Sequence, residues 1–225
     1  MKIRVNDVEL YYEVTGQGRP LIMIHGNGED HHIFDIANQE LKKYFQVYLV
    51  DSRGHGSSSK INSYHYQDMA LDIKEMIIQL DLKDVIYYGY SDGGVVGLLL
   101  ASQYPQLISK LIVSGANLHP RGVAQECYQE MKTEYKKTKS PLIKMMLEEP
   151  HIDSRDLKQI QASTLILAGE HDLILEEHTR KIARHIPRSQ LEIIPGEDHG
   201  SYIVDSRKIA HYIIDFIKKD DCCHR

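Results

Sequence analysis

The stretch Gly89-Tyr90-Ser91-Asp92-Gly93-Gly94 decides the fold; it follows the apolar run Asp84 to Tyr88 and precedes Val95 to Ala101. This order predicts a serine on a sharp turn between a strand and a helix. A serine hydroxyl becomes a useful nucleophile only when it is exposed, oriented and paired with a base. Small residues relieve the crowding of such a turn, and the first N–H groups of the helix can face developing negative charge. We therefore predict that Ser91 is a nucleophile.

The segments on either side of this turn alternate between two kinds of periodicity. Short apolar runs predict eight strands, at Ile3 to Val5, Val8 to Val14, Leu21 to Ile24, Gln46 to Val50, Val85 to Tyr88, Lys110 to Val113, Thr164 to Leu167 and Gln190 to Ile194. Helical spacing predicts helices at Ile33 to Tyr44, Tyr66 to Leu80, Gly93 to Gln103, Glu176 to Ile186 and Ser201 to Lys218. This alternation predicts an α/β fold, with a mostly parallel sheet covered by helices on both faces and an antiparallel hairpin at one edge.

One interval, Leu118 to Ala162, departs from the alternation. It has helical patterns without a convincing strand, and Pro120, Pro141 and Pro150 interrupt it. About 45 residues are too many for a plain connection. We therefore predict a core domain of residues 1–117 and 163–225, with a small helical cap inserted at residues 118–162. The methionines of the cap are expected to pack it onto the core, to contact the substrate, or to do both.

The bulk composition limits the classes of partner. The 225 residues carry a formal net charge of −5 with scattered basic residues, which argues against nucleic acid as a main partner. No apolar run reaches the roughly 18–20 residues that span a bilayer, and the N-terminus lacks a signal-peptide pattern. The three cysteines, Cys127, Cys222 and Cys223, are not a disulfide framework, so the cytoplasm is the simplest location. The sequence leaves the oligomeric state open, as monomer or homodimer.

A serine nucleophile needs a histidine base and a carboxylate that orients it. In a parallel sheet, these groups lie just beyond the carboxyl ends of strands. Gly169-Glu170-His171-Asp172 follows one predicted strand, and Pro195-Gly-Glu-Asp-His199-Gly200 follows the next. The chain order Ser91, Asp172, His199 is the order that accompanies a serine on a strand-to-helix turn. We predict a catalytic triad of these three residues.

Other residues compete for two of these roles. Glu170 and Asp198 are the rival acids, but Glu170 lies nearer the strand and Asp198 is the direct neighbour of His199. The chain has 13 histidines, so a single one is more often structural than catalytic. Seven of the others are expected elsewhere: His55 in a loop bracing the site, His31 and His32 at a helix start, and His171, His178, His185 and His211 in or beside helices.

Acyl transfer also needs hydrogen-bond donors for the oxyanion. His25-Gly26-Asn27-Gly28 follows a predicted strand, and its glycines let the backbone approach a ligand closely. We predict that the backbone N–H groups of Asn27 and Asp92 form the oxyanion hole. Gly26, Tyr90 and Asp92 are the predicted substrate contacts.

These motifs, with the loop Asp51-Ser-Arg-Gly-His-Gly56, together resemble the α/β-hydrolase superfamily over nearly the whole chain. The resemblance implies an α/β-hydrolase fold with an eight-stranded sheet and a Ser-Asp-His triad. More narrowly, Gly89 to Gly94 and Ser114-Gly-Ala-Asn117 look like the valacyclovirase (biphenyl hydrolase-like) branch. Members of that branch hydrolyse α-amino-acid esters, and the acidic residue after the nucleophile, here Asp92, engages the substrate's ammonium.

Two features of the sequence depart from that branch, and Asp92 has an explanation other than substrate binding. The predicted cap is shorter, and Tyr90 stands where the branch usually has Trp. An acidic residue in the first turn of a helix, such as Asp92, is also favoured by the helix macrodipole alone.

We therefore predict a serine hydrolase that cleaves a small carboxylic ester or related acyl substrate through an acyl-enzyme, with amino-acid esters as one candidate class. This chemistry requires neither a metal nor an organic cofactor. Two alternatives stay open: a ligand-binding or sensor protein with a slow hydrolase pocket, and C–C hydrolysis or perhydrolysis on the same site.

Overall fold

The computed structural model describes residues 1–223, whose eight strands form a single sheet. The strands are β1 (Lys2–Val5), β2 (Val8–Thr15), β3 (Arg19–Ile24), β4 (Phe45–Val50), β5 (Val85–Tyr90), β6 (Ile108–Ser114), β7 (Ser163–His171) and β8 (Ser189–Asp198). Their spatial order is β1-β2-β4-β3-β5-β6-β7-β8. β2 pairs antiparallel with β1 and with β4, and the other pairs are parallel. The predicted eight-stranded, mostly parallel sheet with an edge hairpin is confirmed.

Eight α-helices accompany the strands within the described residues. They are α1 (Asp35–Leu41), α2 (Tyr66–Gln79), α3 (Asp92–Gln103), α4 (Gln125–Thr138), α5 (Pro141–Glu148), α6 (Ser154–Leu157), α7 (Glu176–His185) and α8 (Lys208–Cys223). None of these helices has the length and apolar character needed to cross a lipid bilayer.

The last helix differs from the sequence prediction at its start. The pattern predicted a helix from Ser201, but residues 201–205 form a turn and α8 begins at Lys208. Asp205 has a φ of +49°, and a left-handed residue cannot continue a right-handed helix. At the other end of α8, Cys222 is an exposed free thiol, while the side chain of Cys223 lies outside the described residues.

The two faces of the sheet are covered by different helices. In β3, Ile22 and Ile24 pack in one core with residues of α2, α3, α6 and α7, whereas Leu21 and Met23 pack in the other with α1 and α8. Successive side chains of a strand point to opposite faces. Both faces are therefore buried, which explains why the central strands are apolar almost throughout.

Residues 118–162 connect β6 to β7 through α4, α5 and α6. Helix α4 has no buried residue, and its Cys127 and Met131 join Met146 of α5 above Ser91, around one cavity. Helix α6 differs, because its Leu157 is fully buried in the core that contains α2 and α3. Helices α4 and α5 thus form the part of this segment that covers the carboxyl ends of the strands; the division into core and cap remains a prediction.

Candidate active site

Ser91 occupies a strained backbone conformation between β5 and α3. Its φ is +52° and its ψ is −114°, a combination that costs a non-glycine residue about 1–3 kcal/mol. A Cβ on Gly89 would collide with the carbonyl oxygen of Gly93, and a Cβ on Gly93 would collide with that of Ile24. The Ser91 N–H donates to the Ser114 carbonyl at 2.8 Å. The glycines of the motif therefore permit the turn, and neighbouring strands hold it.

The structure brings the three predicted triad residues together. His199 Nε2 lies 3.1 Å from Ser91 Oγ, and His199 Nδ1 lies 2.7 Å from Asp172 Oδ1. The Asp172 side chain is only 3% exposed, and the same Oδ1 accepts the Ile174 N–H at 2.8 Å. A carboxylate only accepts hydrogen bonds, so Nδ1 carries the proton donated to Asp172. Nε2 of the neutral ring is then an acceptor for the Ser91 hydroxyl.

Two neighbours fix the position of the histidine ring. The Tyr90 and His199 ring centroids are 5.0 Å apart. Gly115, directly after β6, has a φ of +60°, and a Cβ there would lie 2.6 Å from His199 Cε1. Gly115 therefore leaves the space that the ring occupies. Its position two residues after the predicted strand Lys110 to Val113 was the sequence signal that could have identified it.

The two predicted oxyanion donors lie on either side of the nucleophile. Among residues 1–223, neither the Asn27 N–H nor the Asp92 N–H has a hydrogen-bond acceptor. Asp92 is the first residue of α3, where backbone N–H groups have no partner inside the helix. The loop that carries Asn27, residues 25–28, also lies close to Ser91, because a Cβ on Gly26 would lie 3.1 Å from Ser91 Cβ.

Three carboxylates surround the cavity beside Ser91. Asp92 is buried, and its oxygens accept the Tyr66 hydroxyl at 2.6 Å and the Asn27 amide Nδ2–H at 2.8 Å. Burial raises the pKa of Asp92, although these two hydrogen bonds oppose the shift. Glu29 accepts the Gly26 N–H at 2.9 Å, burial raises its pKa as well, and Glu130 of α4 is the third carboxylate.

The cavity above Ser91 has a volume of about 330 Å³. This volume suits a small molecule. It is lined by the predicted contacts Gly26, Tyr90 and Asp92, and by Asn27, Glu29, Tyr66, Ser91, Asn117, Val123, Cys127, Glu130, Met131, Met146, Leu173, Ile174 and His199. None of these lining residues is a lysine or an arginine. Sequence reasoning missed Glu29, Tyr66 and Glu130, and only Glu29 had a signal, because it follows the loop His25 to Gly28.

The rival acids have other partners. Glu170 is exposed and accepts the Gly196 N–H at 2.8 Å, and Asp198 accepts the Gly200 N–H at 2.9 Å within its own turn.

His171 differs from its prediction, because it ends β7 rather than lying in or beside a helix. After an irregularity, β7 continues pairing with β8, and His171 lies opposite Asp198.

His25 and His55 form a support behind the Asn27 loop. Their ring centroids are 4.9 Å apart, and both side chains are buried. His25 Nε2 accepts the Ser52 N–H at 3.1 Å, while its Nδ1–H donates to the Gly26 carbonyl at 2.7 Å. Burial lowers the pKa of His25 to about 4, so the ring is neutral at pH 7. This packing agrees with the bracing position expected for His55.

Comparison with known proteins identifies the family. A model of the alpha/beta hydrolase fold family matches residues 19–138, more than half of the chain. The chain belongs to the α/β-hydrolase fold family. It is 26% identical to the human protein named Serine hydrolase BPHL, covering 96% of this chain and 86% of that protein. It is 27% identical to the AB hydrolase superfamily protein YisY of Bacillus subtilis, covering 93% and 95% respectively.

Solved structures agree with this fold. The esterase EaEST from Exiguobacterium antarcticum superposes with a TM-score of 0.85 at 24% identity, covering 96% of this chain and 98% of that one. The family and these relatives make the protein an enzyme of the hydrolase class, and the resemblance inferred from the motifs is confirmed at superfamily level.

Proposed function

We propose that the protein is a serine hydrolase that cleaves small carboxylic esters through Ser91, His199 and Asp172. The observation that carries the proposal is the continuous hydrogen-bonded relay from Asp172 Oδ1 through the His199 ring to Ser91 Oγ, at 2.7 and 3.1 Å. Such a relay is the arrangement that activates a serine hydroxyl for attack on a carbonyl.

The reaction proceeds in two halves. His199 Nε2 takes the proton as Ser91 Oγ attacks the ester carbonyl, and Asp172 stabilises the imidazolium that forms. The oxyanion accepts hydrogen bonds from the Asn27 and Asp92 N–H groups. His199 then gives its proton to the leaving alcohol. Water, deprotonated by His199, hydrolyses the acyl-enzyme and regenerates Ser91.

The helical segment of residues 118–162 acts as the cap over this site. Its Met131 and Met146 supply apolar surface opposite Ser91, and Glu130 faces the same cavity. Met side chains have flexible, polarisable surfaces that adapt to different acyl groups. The cap is therefore the part of the site that selects the acyl or alcohol group, while the core supplies the chemistry.

Within the ester class, esters of α-amino acids are the preferred substrates. Asp92, Glu29 and Glu130 line the cavity without a lysine or arginine among the lining residues, so the field inside it favours a cationic group. Each oxygen of the buried Asp92 carboxylate accepts one hydrogen bond, from Tyr66 or from Asn27, and retains a further lone pair. An ammonium beside the scissile carbonyl would reach this carboxylate while the carbonyl oxygen faces the Asp92 N–H.

We also infer that the enzyme works in the cytoplasm on a small-molecule substrate. Cys127 and Cys222 are both free thiols, which suits a reducing compartment. Measuring the thiol state of the protein isolated under alkylating conditions would test this, and a disulfide-linked form would contradict it.

Hydrolysis of a short-chain nitrophenyl ester tests the relay. We expect Ser91→Ala to lower kcat on the order of 10⁴-fold or more, and to abolish labelling by a fluorophosphonate. Ser63→Ala removes an exposed serine hydroxyl and serves as the matched control. Unchanged hydrolysis in Ser91→Ala would refute the assignment. Saturable ligand binding without turnover in the native protein would instead favour the sensor alternative.

A paired substrate panel tests amine recognition separately. α-Amino-acid methyl esters are compared with the same esters after N-acetylation, which removes the charge. We expect Asp92→Asn to lower kcat/KM for the free amines by about 10- to 100-fold, the value of a charged hydrogen bond, and to change the acetylated series much less. Glu134→Gln, one turn from Glu130 on α4, is the control. An equal loss on both series would reject amine recognition and leave the hydrolase proposal intact.

A further inference from the structure

A group of acidic and histidine side chains lies outside the Ser91 cavity, on β2 and on the loop after β3. We call Glu13, Asp30, His31 and His32 the His31 cluster. One possible ligand atom from each of Asp30, His31 and His32 lies within 4.8 Å of the others. Glu13 is outside that group of three, but its Oε1 is 3.6 Å from His31 Nε2. As predicted, the two histidines begin a helix, the short 3-10 helix His31–Phe34. Asp30 caps it by accepting the His32 N–H at 2.9 Å.

The His31 ring has one nitrogen that is hydrogen-bonded and one that has no hydrogen-bond partner in the described part of the chain. Its side chain is only 5% exposed, and Nδ1 lies 2.7 Å from Asp51 Oδ1, which also accepts the His31 backbone N–H. A carboxylate acceptor requires the proton on Nδ1. Nε2 of the neutral ring then presents a buried lone pair with no hydrogen-bond partner among the described residues, toward the Glu13 carboxylate. Two facing acceptors repel each other unless a proton or a metal ion lies between them.

The donor types and spacing fit a divalent transition metal. Two donors bound at about 2.0–2.1 Å in a tetrahedral site lie about 3.3 Å apart, close to the 3.6 Å between His31 Nε2 and Glu13 Oε1. Metal-bound histidines usually donate their other ring N–H to a carboxylate that orients the ring, as His31 Nδ1 does to Asp51. Tyr11 supports the other ligand, because its hydroxyl donates to Glu13 Oε1 at 2.8 Å.

His32 repeats this arrangement at the solvent-facing side. Its Nδ1 lies 3.0 Å from Asp35 Oδ2, which leaves Nε2 available. Its ring centroid is 4.1 Å from that of His31. Imidazole together with carboxylate is a ligand set that suits Zn²⁺.

We propose that the His31 cluster binds a Zn²⁺ ion through His31 Nε2 and Glu13, and that the Asp30 and His32 side chains turn toward the ion to complete the ligand set. None of these residues lines the cavity above Ser91, so the site is separate from the proposed catalytic one. Bound metal would join the loop that carries Asn27 to strand β2. Its role is therefore to stabilise that loop, and no step of the ester reaction passes through it.

Metal titration of the chelator-treated protein tests the proposal. We expect one equivalent of Zn²⁺ per chain by calorimetry, and intense visible absorption when tetrahedral Co²⁺ replaces it. His32→Gln and Asp30→Asn leave the buried His31–Asp51 pair intact, and each should weaken binding at least roughly 10-fold. Glu13→Gln should do the same. His211→Gln removes an exposed histidine on α8 and should leave the affinity unchanged.

Two outcomes would overturn the site. One is the absence of stoichiometric Zn²⁺ binding to the native protein. In that case His31 Nε2 would hold a proton shared with Glu13 and no metal ion. The other is equal affinity in the native protein and in the Asp30→Asn, His32→Gln double variant, which would assign the binding to scattered surface histidines. Thermal unfolding with and without metal verifies that each variant is folded. These measurements use no ester substrate, so their failure is distinct from failure of the proposed hydrolase activity.

Discussion

Gly115→Ala should displace the His199 ring and lower the rate of ester hydrolysis while the protein still folds. Gly115 lies against the His199 ring, and an added Cβ would lie 2.6 Å from Cε1 and 2.8 Å from Nδ1. Nonbonded carbon atoms prefer a separation of about 3.5 Å or more. The ring must therefore move by about 0.9 Å, away from the geometry that places Nδ1 2.7 Å from Asp172 and Nε2 3.1 Å from Ser91.

This displacement sets the expected magnitude. A misplacement of about 1 Å costs on the order of 10² in rate, which is about 2.7 kcal/mol in the activation barrier. The φ of +60° adds a second effect, because an alanine in the left-handed region costs about 1–2 kcal/mol of stability. We expect kcat/KM on a nitrophenyl ester to fall about 100-fold in a protein that still folds.

Gly196→Ala is the matched control for backbone strain. Gly196 has a φ of +72°, and a Cβ there would have no heavy atom of the described residues within 4 Å. It should therefore lose similar stability in urea titrations but keep the native rate of ester hydrolysis. If the kcat/KM of Gly115→Ala is within about threefold of that of Gly196→Ala, the inference that Gly115 holds the His199 ring in position is wrong.

Three further predictions concern stability. Burial lowers the pKa of His25 to about 4 from 6.5, so between these pH values the unfolded chain binds a proton that the folded chain does not. The free energy of unfolding should therefore rise across this window by up to about 3 kcal/mol in urea titrations, with a flatter slope in His25→Gln. Arg53→Met leaves the buried Asp72 carboxylate without the guanidinium 2.6 Å away and should cost about 3–5 kcal/mol, most of it recovered when Asp72→Leu is added. Tyr66→Phe removes the hydroxyl that donates to the buried Asp92 and should lower the free energy of unfolding by about 1.5–3 kcal/mol, measured by chemical denaturation.

The location of the triad could be predicted because parallel strands end at one edge of a sheet. Ser91 follows β5, and Asp172 and His199 follow β7 and β8, so their proximity derives from strand order and periodicity. The spacing alone left Glu170 as a rival. The structure separates the two acids, because Asp172 lies against His199 whereas Glu170 is exposed and bonds to the Gly196 N–H.

The surroundings of the nucleophile were harder to predict. Tyr66 reaches Asp92 from α2, and Glu130 reaches the cavity from α4, through helix packing that no local pattern encodes. The Asp51–His31 contact likewise joins two loops that follow different strands. These contacts depend on the relative placement of whole elements, which is fixed by the burial of many apolar side chains together rather than by neighbours in the chain.

The sequence by itself determined the eight strands, the turn around Ser91 and the order of the three polar groups, because each depends on short-range periodicity or on position at a strand end. The tertiary structure alone decided which acid meets His199, which groups hold the Asp92 carboxylate, and that His31 Nε2 is buried beside Glu13 without a hydrogen-bond partner in residues 1–223. The physical reason is that hydrogen bonds act over about 3 Å, and only the packed fold brings residues distant in the chain within that range.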